Sequence, residues 1–115
     1  MRTWLLRHRR LTVLLAITAA VLACSSVVAL ASSTRSVKVG DDFFNVKRLT
    51  VDRGARVTWK WAGVLNHNVT ARSGPSRFHS RTQARGSYSH VFTTPGTYTL
   101  YCTIHPFMKM TVVVR

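Results

Sequence analysis

Cysteine is scarce in this chain, and the scarcity excludes a good deal. There are two in 115 residues, Cys24 and Cys102. Cys24 lies in an apolar leader, which leaves Cys102 alone in the remainder. A single thiol closes no internal disulfide, and without a second cysteine pair a zinc site is disfavoured. Acids are scarcer still relative to bases. Asp41, Asp42 and Asp52 stand against seventeen lysines and arginines, for a net charge of +14. After the leader, helix-period patterning is missing, and no internal repeat is visible. The length bounds the chain to one domain.

Charge is also missing locally. Leu11 to Thr34 contains no charged residue, whereas the preceding MRTWLLRHRR carries four arginines. A basic start followed by an apolar run is an export pattern, and three fates compete for residues 1–31. Cleavage after Ala31 would use Ala29 and Ala31 as the small residues. Val21-Leu22-Ala23-Cys24 resembles a lipoprotein signal, with Cys24 acylated. The run is also long enough to remain as a membrane anchor, since about 20 apolar residues span a bilayer. Arg9-Arg10 resembles a twin-arginine signal. Every fate leaves the folded part extracytoplasmic, whether secreted, periplasmic or on the cell surface. In an oxidising compartment a free thiol is a liability, and a bound metal accounts for its presence.

The positive charge reads first as a solvated surface. Its sharper reading is an acidic partner protein or an anionic surface met through long-range attraction. Nucleic acid is disfavoured, because export argues against it and no recognition module is present.

Residues 32–36 read as a polar linker and 37–115 as the domain. Arg56-Val57-Thr58-Trp59-Lys60-Trp61 alternates strictly, so Val57, Trp59 and Trp61 share one face of a half-buried strand. Val51-Asp52-Arg53-Gly54 reads as a strand end and turn. Tyr88–Phe92 is a short β run, and Thr94-Pro95-Gly96-Thr97 is a turn. In Tyr98-Thr99-Leu100-Tyr101-Cys102, Cys102 points the same way as Leu100 and Tyr98, inward. Thr111–Val114 is a β-branched closing strand. ARSGPSRFHSRTQARG, residues 71–86, reads as a solvated basic loop. Short strands with regular turn signals indicate an all-β fold, a sandwich or barrel.

The chemistry concentrates in YCTIHPFMKM. Cys102, His105, Met108 and Met110 fall on a turn between two strands, and His67 lies upstream just before another strand. A thiolate, two imidazoles and a thioether form a set that suits copper: soft sulfur favours Cu(I), and imidazole serves both oxidation states. A cysteine nucleophile with a histidine base is the enzymatic alternative. Methionine has no use in it and no oxyanion-stabilising motif is evident, so the chain reads as a carrier and not an enzyme. His79 and His90 have no ligand partner at a suggestive spacing.

PGTYTLYCTIHPFMKMTVVV resembles the C-terminal part of the cupredoxins, the family of amicyanins, pseudoazurins and plastocyanins. VKVGDDFFNVKRLTVDRGARVTWKW and HNVT resemble their upstream strands and first histidine segment, so the likeness runs from about Val37 to Val114. It implies a Greek-key β-sandwich, one type 1 copper ion and one-electron transfer to and from a redox partner protein, by a monomer. Carried over by position, His67, Cys102 and His105 are the three strong ligands. Loops like those of plastocyanins, with four residues between the second histidine and the methionine, would select Met110. The resemblance of His-Pro-Phe-Met to amicyanin loops, which are followed after two or three residues by a valine-rich strand, favours Met108 as the axial ligand and Met110 as core filler. The family has glycine where this chain has Met110. Asn68 resembles the asparagine that ties the two ligand loops together, with Thr103 in its partner region. Copper storage or delivery on the same fold is the competing function, and a metal-free binding sandwich the third.

Overall fold

The computed structural model describes residues 33–115, so the expected cleavage site at Ala31, the acylation site at Cys24 and the anchor segment lie outside the described residues. The described residues form eight strands and no helix. They are β1 (Thr34–Gly40), β2 (Phe43–Phe44), β3 (Arg48–Val51), β4 (Ala55–Trp61), β5 (Thr70–Ser73), β6 (Ser87–Phe92), β7 (Gly96–Cys102) and β8 (His105–Val114). One sheet runs β2-β1-β4-β6 and the other β3-β8-β7-β5. Each combines antiparallel pairs with one parallel pair, β1 with β4 and β3 with β8. The expected Greek-key β-sandwich is what forms.

Alternation decides which side of each strand is dry. On β4, Ala55, Val57 and Trp59 are buried while Arg56 and Lys60 are exposed, and Trp61 is half-buried at the strand end. On β7, Tyr98, Leu100 and Cys102 all face the core, as the period-two reading expects. On β8, Met108, Met110, Val112 and Val114 are buried in turn. These two inner faces meet Val37 and Val39 of β1 and Phe92 of β6 in a single core. The turn before β7 is held by Tyr98, whose hydroxyl donates to the carbonyl of Thr94 at 2.8 Å.

Two segments differ from the sequence reading. Thr34, Arg35 and Ser36 pair with Arg56, Val57 and Thr58, so β1 takes in part of the expected 32–36 linker. Polar side chains permit this because the strand is exposed there and its backbone finds a parallel partner. Residues 71–86 are also less solvated than expected. Phe78 packs on the core, Ser80 is buried, and the segment bridges back along His67–Thr70 through His67 with Gln83 and Thr70 with His79. The backbone of His67–Thr70 needs partners there, and this loop supplies them.

Candidate metal centre

His67 lies between β4 and β5, where its backbone N–H donates to Gln83 and its carbonyl accepts from Gln83, both at 3.0 Å. That pair fixes where the imidazole points. Cys102 ends β7 facing inward, and His105 opens β8 directly opposite it in register. Thr103 and Ile104 make the turn between them. Spacing alone could not bring His67 to this hairpin. The packing of the sandwich does.

The three side chains converge. Nδ1 of His67 and Nδ1 of His105 are 3.1 Å apart. The Cys102 sulfur lies 4.0 Å from the first and 3.7 Å from the second. His67 and Cys102 are fully buried, and the His105 side chain is 25% exposed. Two ring nitrogens this close, away from water, face lone pair to lone pair unless a proton or a cation lies between them. Trigonal metal bonds of about 2.0 Å to nitrogen and 2.3 Å to sulfur set edges of about 3.5–3.7 Å. The observed edges, from 3.1 to 4.0 Å, bracket these values. Among the described residues this is the cluster able to hold a metal.

Asn68 ties the two halves of the site together. Its Nδ2 donates to the Thr103 hydroxyl at 2.7 Å and the Thr82 hydroxyl at 3.0 Å. Its Oδ1 accepts from the backbone N–H of Thr103 at 3.1 Å and the hydroxyl of Thr70 at 2.8 Å. The Asn68 backbone N–H points at the Cys102 sulfur at 3.5 Å. A donor at this sulfur stabilises the thiolate and tunes a bound metal.

Met108 and Met110 are both buried on the inward face of β8. Met110 pairs with Leu100, and its sulfur accepts from Nε1 of Trp59 at 3.3 Å. Met108 is one strand repeat, about 6.6 Å, nearer the Cys102–His105 end.

Sequence reasoning missed the acids beside the histidines. Asp41 and Asp42 form the turn between β1 and β2, where Asp42 adopts φ 68°. The Asp41 carboxylate lies 3.2 Å from Nε2 of His67, and Asp42 lies 3.5 Å from Nε2 of His105. Backbone N–H groups of Leu65 and Val64 donate to Asp41 and hold its carboxyl below the usual carboxylate range. The signal was available: two of three acids in a basic chain sit side by side. His79 and His90 stay outside the cluster, as expected; His90 stacks on Phe78 with ring centroids 3.7 Å apart.

Comparison with known proteins agrees with this geometry. Residues 31–115 match the copper binding proteins of the plastocyanin/azurin family. Amicyanin-alpha of Methylorubrum extorquens is 35% identical over 116 residues, spanning 88% of this chain and 98% of that protein. A reduced Cu(I) form of an amicyanin variant matches with a TM-score of 0.65 and 31% identity, over 76% of this chain and 87% of that one. A copper-containing nitrite reductase from Thermus scotoductus matches with a TM-score of 0.67 and 26% identity, over 75% of this chain but 23% of its own. His67, Cys102 and His105 are positioned to bind one copper ion, on a cupredoxin fold shared with these proteins. The chain belongs to the plastocyanin/azurin family of copper-binding proteins.

Proposed function

We propose that this domain carries one electron at a time on a copper ion that Nδ1 of His67, the thiolate of Cys102, Nδ1 of His105 and the sulfur of Met108 would hold. The observation that carries the reading is the convergence of two ring nitrogens and one sulfur within 4.8 Å, two of the three side chains being closed to water. Copper, when bound, supplies a one-electron couple stable in both states.

The chain's own residues do the rest. Cys102 gives up its proton on metal binding, and the Asn68 N–H stabilises the sulfur that remains. β7 and β8 are paired from Gly96–Val114 to Cys102–His105. Ligands fixed to so rigid a frame move little when the charge of the site changes, which favours rapid exchange. His105 reaches the surface, where Pro106, Phe107 (67% exposed) and Ile104 (50% exposed) border it. That apolar rim lets a partner approach, exclude water and take the electron through the imidazole edge. Such interfaces are small and short-lived.

Arg72, Arg77, Arg81 and Arg85 steer an acidic redox partner toward this rim. All four are exposed, and Arg81 and Arg85 flank Gln83, the backbone partner of His67. The protein acts outside the cytoplasm as a carrier without a substrate of its own; the support is the basic leader with its uncharged run, and the absence of any use for methionine in nucleophilic chemistry.

An absorption spectrum tests the reading. Adding Cu(II) to the purified protein should produce an intense visible thiolate-to-copper band that bleaches and returns on reduction and reoxidation, and Cys102→Ser should abolish it. Metal released readily, or held as colourless Cu(I), would instead support storage or delivery. Copper binding unchanged in Cys102→Ser would overturn the site itself.

A further inference from the structure

Asp41 sits in a socket built for a carboxylate. It accepts from the backbone N–H of Val64 at 3.0 Å through one oxygen and 3.2 Å through the other, and from that of Leu65 at 3.0 Å. Beneath it lies Gly63, where a Cβ would collide with the carboxylate group. The remaining direction is filled by Nε2 of His67 at 3.2 Å. His67 is fully buried, whereas Asp41 is one-third exposed. The carboxylate is thus held on three sides and aimed at one ring nitrogen, with its back to solvent. The same His67 turns its other nitrogen, Nδ1, toward Cys102 and His105.

Resting on the reading of His67 as a copper ligand through Nδ1, we propose that Asp41 is a positioning residue that holds the His67 tautomer and biases the site toward Cu(II). A carboxylate at Nε2 keeps the proton there, which leaves the Nδ1 lone pair free for the metal. It also makes the ring a stronger donor, as hydrogen-bonded carboxylates do for metal-bound histidines. A fixed negative charge one ring away stabilises the more positive of two metal states by Coulomb attraction, undiminished by reorganisation because the socket already holds it. No bond to Asp41 is made or broken when the electron arrives, and the Nε2 proton stays where it is. In a chain of net charge +14, this is a local negative field at the one place where the reacting charge changes.

The test is a redox titration of the copper-loaded, full-length protein beside its Asp41→Asn and Gly63→Ala variants. Asn keeps the shape and an acceptor oxygen but removes the charge. Cu(II) affinity should fall roughly tenfold or more, in the range seen when such outer partners are removed, while Cu(I) affinity falls less. The midpoint should rise by about 59 mV for each tenfold gap between the two, with the visible band retained. Gly63→Ala should push the carboxylate off the ring and move the midpoint the same way. The double variant should add little to Asp41→Asn, because both remove one interaction. A blue Asp41→Asn protein with the parent midpoint overturns the inference, as does a variant that loses thermal stability and nothing else. A parent that never turns blue overturns both this inference and the copper reading on which it rests.

Discussion

The indole nitrogen of Trp59 donates to the sulfur of Met110 at 3.3 Å, across the space between the two sheets. Both residues are buried, so the bond stands in for water at a donor that would otherwise have none. It ties Met110 to the core, which supports the proposal of Met108 as the methionine ligand. Met110→Leu should therefore cost about 1–3 kcal/mol in urea unfolding, the penalty of stranding a buried donor, and leave the visible band at the parent wavelength. Met108→Leu should shift the band and raise the midpoint potential at smaller cost in stability. The opposite split would make Met110 the axial ligand.

Asn68 makes four side-chain hydrogen bonds, and two of them, both to Thr103, join the His67 segment to the Cys102–His105 hairpin. Asn68→Ala leaves the backbone N–H of Thr103 without that acceptor and removes the side-chain link between the two segments. We expect a loss of about 3 kcal/mol, several modest net hydrogen bonds taken together, and faster loss of copper to a chelator. Unchanged unfolding midpoints and chelation rates would show that the network is dispensable.

His90 stacks on Phe78 and lies edge-on to Phe92. Partial burial there pushes its pKa below the usual histidine value. The folded state therefore binds fewer protons than the unfolded chain in the window just below that value. The contribution of this group to stability is complete above about pH 6.5, the unfolded value, and is lost as pH falls toward the folded one. His90→Phe keeps the stacked ring and removes the titration. Its melting temperature should fall less steeply than the parent's between about pH 7 and 5. Parallel pH profiles would count against this account.

Replacing Arg72, Arg77, Arg81 and Arg85 together by alanine should slow oxidation of the reduced protein by an anionic inorganic oxidant about tenfold at low salt, within the range of electrostatic steering. The parent rate should fall toward the variant's as ionic strength rises, because screening erases the difference. Two of the four side chains are anchored: Arg77 donates to the backbone carbonyls of Ala71 and Arg72, and the Arg72 guanidinium lies 4.7 Å over the Tyr101 ring. Rates insensitive to salt would sink the steering idea.

Much of the fold is legible along the chain because β-structure writes itself locally. The alternation of Val57, Trp59 and Trp61, and of Tyr98, Leu100 and Cys102, states which side faces the core before any partner strand is known. The Cys-x-x-His spacing is equally local, since a two-residue turn sets both side chains at one hairpin end. Asn68 was readable through its neighbour His67. The 71–86 segment was misread because its arginines are conspicuous, while the contacts that order it, Phe78 on the core and Ser80 against Val69, come from residues far apart in sequence.

Residue order alone therefore determined the all-β class, the inward cysteine and the pairing of Cys102 with His105, because each depends on periods and spacings of a few residues; the sandwich and the place of His67 came through the family resemblance. Only the tertiary structure decided that Asp41 backs His67, that Trp59 occupies Met110 and that Gln83 fixes His67. The partners in these pairs lie on different strands or loops, and nothing along the chain encodes distance through space. Packing of one sheet upon the other brings them together.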